Sequence, residues 1–419
     1  MSGGRNTNFW RVLRPTAWPE APLWMSFSAL MELEVCPRRW ALTTAEYSDL
    51  WNNRGYPSVT QPAALEGTVV HLSLQKITGA LVENGCLSLA DESAILTLRQ
   101  LGGYTSIIMD SLARVLLPFR ENPRAAPALD GIRTRLTARA PELRTRVQKF
   151  LSRIRPEPRA VVHGETVIHR EETPRRHALQ HGAYTEVLLQ APELGWRGVA
   201  DMLILSATQC EIRDFKTGAP KEEHKAQLWT YALLWARDAG LNPSGRLADK
   251  LVLSYDAGDV EVPSPGASKL CSLEDEIKKR STAAFVDLRS GNPQARTSLD
   301  NCMYCVVRHL CEEYWLWLMR HYPKSESAKR KHVDIQIKLS SRHGPNSWDG
   351  EVESGPTMKA GGPILLRTEN LPFDLYPSQR LRLLNVYISM PDEEENNRNG
   401  HPLIVATMGS WSEVFQLSL

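Results

Sequence analysis

The chain has 419 residues, 42% hydrophobic and 23% charged, which gives room for two or three domains with cores of their own and the composition of an ordinary globular protein. It shows no basic segment followed by an apolar run and a small-residue cleavage site, and no stretch approaching the ~18–20 apolar residues of a membrane span, so a cytoplasmic, non-membrane protein is expected. A net charge of +2 is too small to argue for a nucleic-acid partner; only the distribution of charge can do that.

Ser26–Leu42 (SFSALMELEVCPRRWAL) reads as a helix entered at a serine cap, with Pro37 directly after Cys36. Leu65–Ile77 (LEGTVVHLSLQKI) reads as a second helix, and Leu87–Leu117 and Ile132–Ile154 as mainly helical. Between Arg120 and Arg159 eleven basic residues stand against four acidic ones, a local excess of 11 − 4 = +7. Such a run is ordinarily a solvated helix face; beside metal-binding carboxylates it becomes a candidate groove wall for phosphates.

From Ala160 the pattern changes to short β-rich runs separated by turn signals: AVVHGETVIH, TEVLLQ, GVADMLIL and QCEIRDF. Lys221–Ala239 returns to helix, LVLSYD and DVEVP form a strand pair, and Leu273–Arg289 is helical again. This order predicts an α/β core behind a helical N-terminal region. Lys324–Lys331 (KSESAKRK) is a charged link. Beyond it HVDIQIKL, GPILLRT, RLRLLNVYISM, HPLIVATMG and SEVFQLSL are five short strands, which fit a small closed β-barrel of the OB type, or a sandwich. The acidic loop Asp392–Glu395 reads as a solvated hairpin tip. The expected divisions are a helical region at 1–158, a core with clustered cysteines at 159–320, a linker at 321–331 and the β-barrel at 332–419.

The most informative string is EIRDFKTG, Glu211–Gly218. Asp214 and Lys216 are two apart on a strand, so their side chains share a face. A metal-assisted hydrolase needs carboxylates to hold a hard cation and an ammonium beside the attacking water. Upstream, RGVAD ends in Asp201; downstream, KAQLWTYALL carries Gln227 and Tyr231 one helical turn apart. Taken singly, a D-x-K is commonly a salt-bridging strand end, a histidine after an apolar pair a satisfied core residue, and Gln227 with Tyr231 an ordinary amphipathic face. Their joint order is far less common.

His71 in GTVVH, Asp201 in GVAD, Asp214 and Lys216 in DFKTG, and Gln227 and Tyr231 in QLWTYALL together resemble the RecB-like branch of the PD-(D/E)XK nucleases. The resemblance covers about Ser26 to Tyr314 and implies a restriction-endonuclease-like α/β core that hydrolyses DNA. It makes Asp201 and Asp214 ligands of one or two Mg²⁺ or Mn²⁺ ions, with the Ile212 backbone nearby on the same strand, and His71 an additional ligand. Lys216 orients or deprotonates the water and stabilises charge on the phosphate; Gln227 and Tyr231 lie beside the scissile phosphate. Glu165 is a candidate for a further carboxylate.

Seven cysteines in a cytosolic chain point to metal rather than to disulfides. Cys302-x2-Cys305-x5-Cys311 forms a compact trio, and Cys36 lies 302 − 36 = 266 positions earlier. Four thiolates suit [4Fe–4S] or Zn²⁺; one remote cysteine with a local trio resembles the iron–sulfur subset, which includes the AddB-type nuclease subunit and the CRISPR-associated iron–sulfur exonucleases. A cluster there would staple the N-terminal helix to the segment beyond the core. Cys86, Cys210 and Cys271 read as small core residues. No G-x-x-x-x-G-K-[ST] occurs, so unwinding would fall to a partner helicase or a defence-system subunit. Single-stranded DNA or DNA ends are the expected substrate; Trp348, Tyr376 and Tyr387 are candidate base-stackers on the barrel, with core burial the commoner role for each. A non-catalytic DNA-binding or scaffolding subunit, and a structural zinc protein, are the competing readings.

Overall fold

Proline decides the first departure from the expected elements. Helix α1 (Phe27–Val35) begins as expected at Ser26, whose Oγ accepts the Ala29 N–H at 3.2 Å. It stops before Pro37, because a residue preceding proline is pushed out of the helical region; Cys36 is extended (φ −163°, ψ 105°), and α2 (Pro37–Thr44) starts afresh with proline at its first position. Cys36 therefore sits at a corner between two helices rather than within one.

The computed structural model describes residues 10–155, 157, 176–321, 331–389 and 404–417, apart from positions 49, 52–53, 59–61, 290, 357, 369–370, 372 and 410. The strand expected at Ala160–His169, with Glu165, lies outside these residues, as do the acidic loop and nearly all of the charged link. After α2 come α3 (Pro62–Glu83), α4 (Glu92–Gln100), α5 (Gly103–Leu116), α6 (Leu129–Ala138) and α7 (Ala140–Leu151), then β1 (Gly182–Ala191), β2 (Trp196–Leu205), β3 (Cys210–Lys216), α8 (Glu222–Arg237), β4 (Lys250–Tyr255), β5 (Gly258–Val262) and α9 (Ala267–Arg289). These five strands make one sheet in sequence order; β3 and β4 are its parallel pair, and α8 is the crossover such a pair requires. One core lies between the sheet and α1, α8 and α9; a second lies between it and α3, α5 and α7.

The sheet has one irregularity. The β1–β2 ladder pairs Thr185 with Met202 and Val187 with Ala200, and skips only the intervening pair, Glu186 and Asp201. Glu186 has a left-handed backbone (φ +52°). The strands exchange faces across this step: Ala183 and Met202 join the core under the helical arm, whereas Val187, Leu189 and Ala200 join the other.

A cysteine-bearing segment follows, with α10 (Leu299–Cys302) and α11 (Glu312–His321), and then β6 (His332–Gly344), β7 (Ser347–Ser354), β8 (Pro363–Arg367), β9 (Arg380–Ser389), β10 (Ile404–Thr407) and β11 (Glu413–Gln416). Strands β6–β7–β8–β10–β9 close on β6 as a five-stranded barrel with β8 and β10 parallel. Closure decides for the barrel over the sandwich. The barrel's second strand, β7, is an addition to the expected set, and β11 is appended to β9 outside the ring. On the free side of β11, Arg11 bridges Gln416, and the Val12 N–H donates to the Gln416 carbonyl at 2.7 Å.

The barrel is bound to the cysteine segment through buried charge. Arg308 donates to Asp334 through Nε (2.5 Å) and Nη2 (3.2 Å), and the same carboxylate accepts Tyr314 Oη and the Asn385 N–H, each at 2.8 Å. Arg382 reaches back to the His309 carbonyl (2.6 Å) and Glu312 (2.7 Å). Trp348 is buried in the barrel core and is no base-stacker; Tyr376 and Tyr387 are exposed. Among the described residues no helix is long and apolar enough to cross a membrane.

Candidate active site

The site is built where β2 and β3 diverge. Their ladder begins at Met202 opposite Arg213, and one step beyond it stand Asp201 and Asp214. Asp201 is fixed through Oδ2, which accepts the Phe215 N–H at 2.6 Å. Asp214 is only 2% exposed. Burial first, then the Asp201 charge, pushes its carboxyl up from 3.8 to about 7, although Lys216 works against both. Lys216 does share the Asp214 face: its Nζ stands 2.6 Å from Asp214 Oδ2 and donates to Gln227 Oε1 at 2.8 Å. Gln227 Nε2 in turn donates to Tyr231 Oη at 2.7 Å. Burial raises the Tyr231 phenol, and the Asp214 and Asp201 charges add to this, so the phenol stays protonated.

His71, on α3, comes to 3.6 Å from Asp201 Oδ1 through Nδ1. Burial works to lower its pKa, but Asp201 and then Asp214 outweigh that and the net shift is upward. Thus six expected residues, His71, Asp201, Asp214, Lys216, Gln227 and Tyr231, come from four separate elements, α3, β2, β3 and α8, to one place. Ile212 does not join them. It is fully buried in the sheet core, and its main chain pairs with Leu203 on one side and Leu251 on the other.

Two glycines allow the approach. A Cβ on Gly67 would stand 2.7 Å from Thr217 Oγ1, just past Lys216, and one on Gly198 would stand 2.8 Å from the Tyr231 ring. The aromatic ring cannot yield as a flexible chain end can. Gly198→Ala is therefore expected to cost about 1–3 kcal/mol of stability and to displace Tyr231; thermal melts and the Tyr231 ring signals in NMR would check it.

Four arginines of the basic run have internal partners. Arg146 donates to the Thr217 carbonyl (2.8 Å) and pairs with Asp256 (2.7 Å), while Arg153 donates to the Tyr255 carbonyl (2.7 Å). Arg139 pairs with buried Glu66 (3.1 Å), and Arg124 makes a two-pronged pair with Glu413 (both 2.6 Å). Arg146 and Arg153 bind the helical arm to the strands at the site and Arg124 binds it to β11, whereas Arg139 ties α3 to the start of α7 within the arm. Nearby are residues that sequence reasoning missed. His224 Nδ1 lies 3.0 Å from Tyr255 Oη; burial first, then Lys216 and Lys221, lower its pKa. Glu186 on β1 lies within electrostatic reach of Asp201 and His71. Its cross-strand partner depends on the β1–β2 connection, which composition does not reveal.

Among the described residues, no group of three or more His, Cys, Asp or Glu side chains is gathered closely enough to hold a metal ion as they stand. The donor chemistry at the strand ends nevertheless suits a hard divalent cation. Asp214 Oδ2 is buried and takes its compensation from the Lys216 ammonium 2.6 Å away.

Cys36, Cys302, Cys305 and Cys311 are all buried. Burial raises Cys302 to about 11, with Cys305 and Cys36 adding to it, and Cys305 acts in the same way on Cys311. The four thiols thus form one electrostatic neighbourhood, with Arg38, Arg39 and Arg308 around it. Cys86 and Cys210 are buried as expected; Cys271 is exposed on α9 and is no core residue.

Carboxylates and an ammonium at the open end of neighbouring strands are the equipment of a hydrolase that cleaves phosphodiesters with a divalent cation. The family model of the PD-(D/E)XK nuclease superfamily matches residues 24–312, a stretch that contains every residue of this cluster, and the chain belongs to that superfamily. None of the curated proteins matches the chain significantly. Membership implies a phosphodiester hydrolase of nuclease type, a class that usually uses divalent metal.

Proposed function

We propose that the chain is a metal-dependent deoxyribonuclease of the RecB-like branch, acting on single-stranded DNA or DNA ends in repair or anti-phage defence. The observation that carries this reading is the unbroken line of contacts from Asp214 through Lys216 and Gln227 to Tyr231. Asp201 and Asp214, with His71, would hold Mg²⁺ or Mn²⁺, which supplies Lewis-acid activation of water and charge neutralisation at the phosphate. Lys216, held between a carboxylate and an amide oxygen, keeps one ammonium proton to direct at water or at a phosphate oxygen. Tyr231, protonated and oriented by Gln227, is the donor for a non-bridging oxygen.

A [4Fe–4S] cluster on Cys36, Cys302, Cys305 and Cys311 is part of the same proposal; it rests on the shared electrostatic neighbourhood of these buried thiols, which as they stand are not gathered closely enough to hold a metal. Their thiol chemistry suits such a cluster, and it would tie the α1–α2 corner to the segment before the barrel. On anaerobically purified protein, Cys36→Ala is expected to lose iron and sulfide and to melt at a lower temperature. Full metal content with unchanged melting would remove the staple, and zinc in place of iron would change its chemistry. The closed barrel, with Tyr376 and Tyr387 exposed, suits a strand-binding or partner-docking role, the partner being a helicase or a defence-system subunit. Cleavage of end-labelled single- and double-stranded DNA with Mg²⁺ or Mn²⁺, beside Asp214→Asn, tests the whole reading. Metal-dependent cutting that the variant loses supports it; cutting that survives in the variant defeats it.

A further inference from the structure

Helix α8 carries a third polar side chain on the face that serves the site. His224, Gln227 and Tyr231 stand at i, i+3 and i+7, so all three line one side of the helix. Gln227 and Tyr231 continue the line of contacts from Lys216. His224 is tied to the sheet by a different residue, Tyr255, which is the direct register partner of Lys216 on the parallel strand β4. The two ends of the imidazole are in different situations. Among the described residues His224 Nδ1, at 3.0 Å, is the only acceptor within hydrogen-bond reach of the Tyr255 hydroxyl. That phenol is buried and stays protonated, so it donates to Nδ1 and the ring proton stands on Nε2. Nε2 has no partner among the described residues, and on this half-buried ring it is not one of the enclosed atoms. Burial first, then Lys216 and Lys221, hold the imidazole neutral. A ring locked at one nitrogen, with a single N–H left open beside two ammonium groups, is prepared for an anionic oxygen.

We propose that His224 contacts the DNA strand, its Nε2–H donating to a non-bridging oxygen of a phosphate next to the one that Lys216 and Tyr231 serve. This rests on the nuclease reading above and deepens it. One helical turn, about 5.4 Å, separates His224 from Gln227, which sets the imidazole outside the line from Asp214 to Tyr231. A neutral donor holds a phosphate by direction rather than by charge. It therefore fixes the register of the strand over the carboxylates, and it does so whatever the base sequence. Tyr255 acts through His224 and is a positioning residue.

Steady-state cleavage of end-labelled single strands of two unrelated sequences, with Mn²⁺ and the full chain, tests this. The variants are His224→Asn, His224→Gln and Tyr255→Phe, with Asp214→Asn as the inactive reference. Asparagine can still meet the Tyr255 hydroxyl near the place of Nδ1 but has no group at the place of Nε2, whereas glutamine carries a donor there. His224→Asn is expected to raise KM by about 10–100-fold on both sequences, the loss of a hydrogen bond to a charged group, with kcat little changed. His224→Gln should recover KM to within about twofold of the parent, and Tyr255→Phe should raise KM by a smaller factor than His224→Asn. Thermal melts of both His224 variants should match each other. An unchanged KM in His224→Asn would overturn the assignment. So would a loss of kcat alone, or equal losses in the asparagine and glutamine variants, which a merely structural histidine would give. In each of these cases the nuclease reading stands as long as the parent cuts and Asp214→Asn does not. A parent that cuts neither strand defeats both readings together.

Discussion

If the proposed nuclease reading holds, Asp214→Asn and Lys216→Ala are each expected to reduce DNA cleavage by about 10²–10⁴-fold, the range expected when a positioned charge at a reacting phosphate is removed. The two variants should part company in stability. Asp214 is buried and titrates near 7 in the fold against 3.8 for an ordinary aspartate. Ionising it therefore opposes folding progressively as pH rises from the lower value to the higher, and the penalty is fully present above 7. Asparagine keeps the shape and removes the charge, so at pH 8 in cation-free buffer Asp214→Asn is expected to melt no lower than the parent. Lys216→Ala does the reverse, leaving Asp214 without its nearest cation, and should melt lower. End-labelled cleavage assays beside thermal melts read both halves. A large loss of stability in Asp214→Asn would show that the carboxylate is structural.

The second large effect lies far from the site. Asp334→Ala leaves the Arg308 guanidinium buried at the junction of the barrel and the cysteine segment, its partner carboxylate gone. Removing one member of a buried pair typically costs about 3–5 kcal/mol, and here Tyr314 and the Asn385 N–H lose the same acceptor. Calorimetry should show the unfolding midpoint falling by several degrees. The double change Arg308→Met with Asp334→Leu is expected to recover part of the loss, because no charge is then stranded. A single variant as stable as the parent would mean that the barrel is held by its apolar contacts alone.

The sequence made the chemistry more readable than the geometry that serves it. Asp214 and Lys216 announced themselves because strand alternation fixes their common face from spacing alone, and Gln227 with Tyr231 because one helical turn does the same. Glu186 was not readable. Its neighbour is set by the turn between β1 and β2 and by a backbone angle that glutamate seldom adopts. Strand β7 was hidden for another reason: two of its four inward positions are Gly350 and Ser354, and only Trp348 and Val352 mark its buried side. Gly350 is required there, since a Cβ would stand 2.6 Å from the Lys338 carbonyl. Charge counted along a chain does not reveal that Arg124, Arg139, Arg146 and Arg153, four of the eleven basic residues of the run, each find an internal acceptor.

The pairing of Val12 with Gln416 sets a timetable for synthesis. A ribosome adding roughly 5–20 residues each second makes one end of that contact some 20–80 s before the other. Through that interval the opening segment has no strand to lie against, and the apolar side chain of Trp10, which ends 5.9 Å from Phe415, stays open to passing chaperones or to other nascent chains. Slowed translation anywhere between Val12 and Gln416 would lengthen this exposure without altering a single residue of the chain.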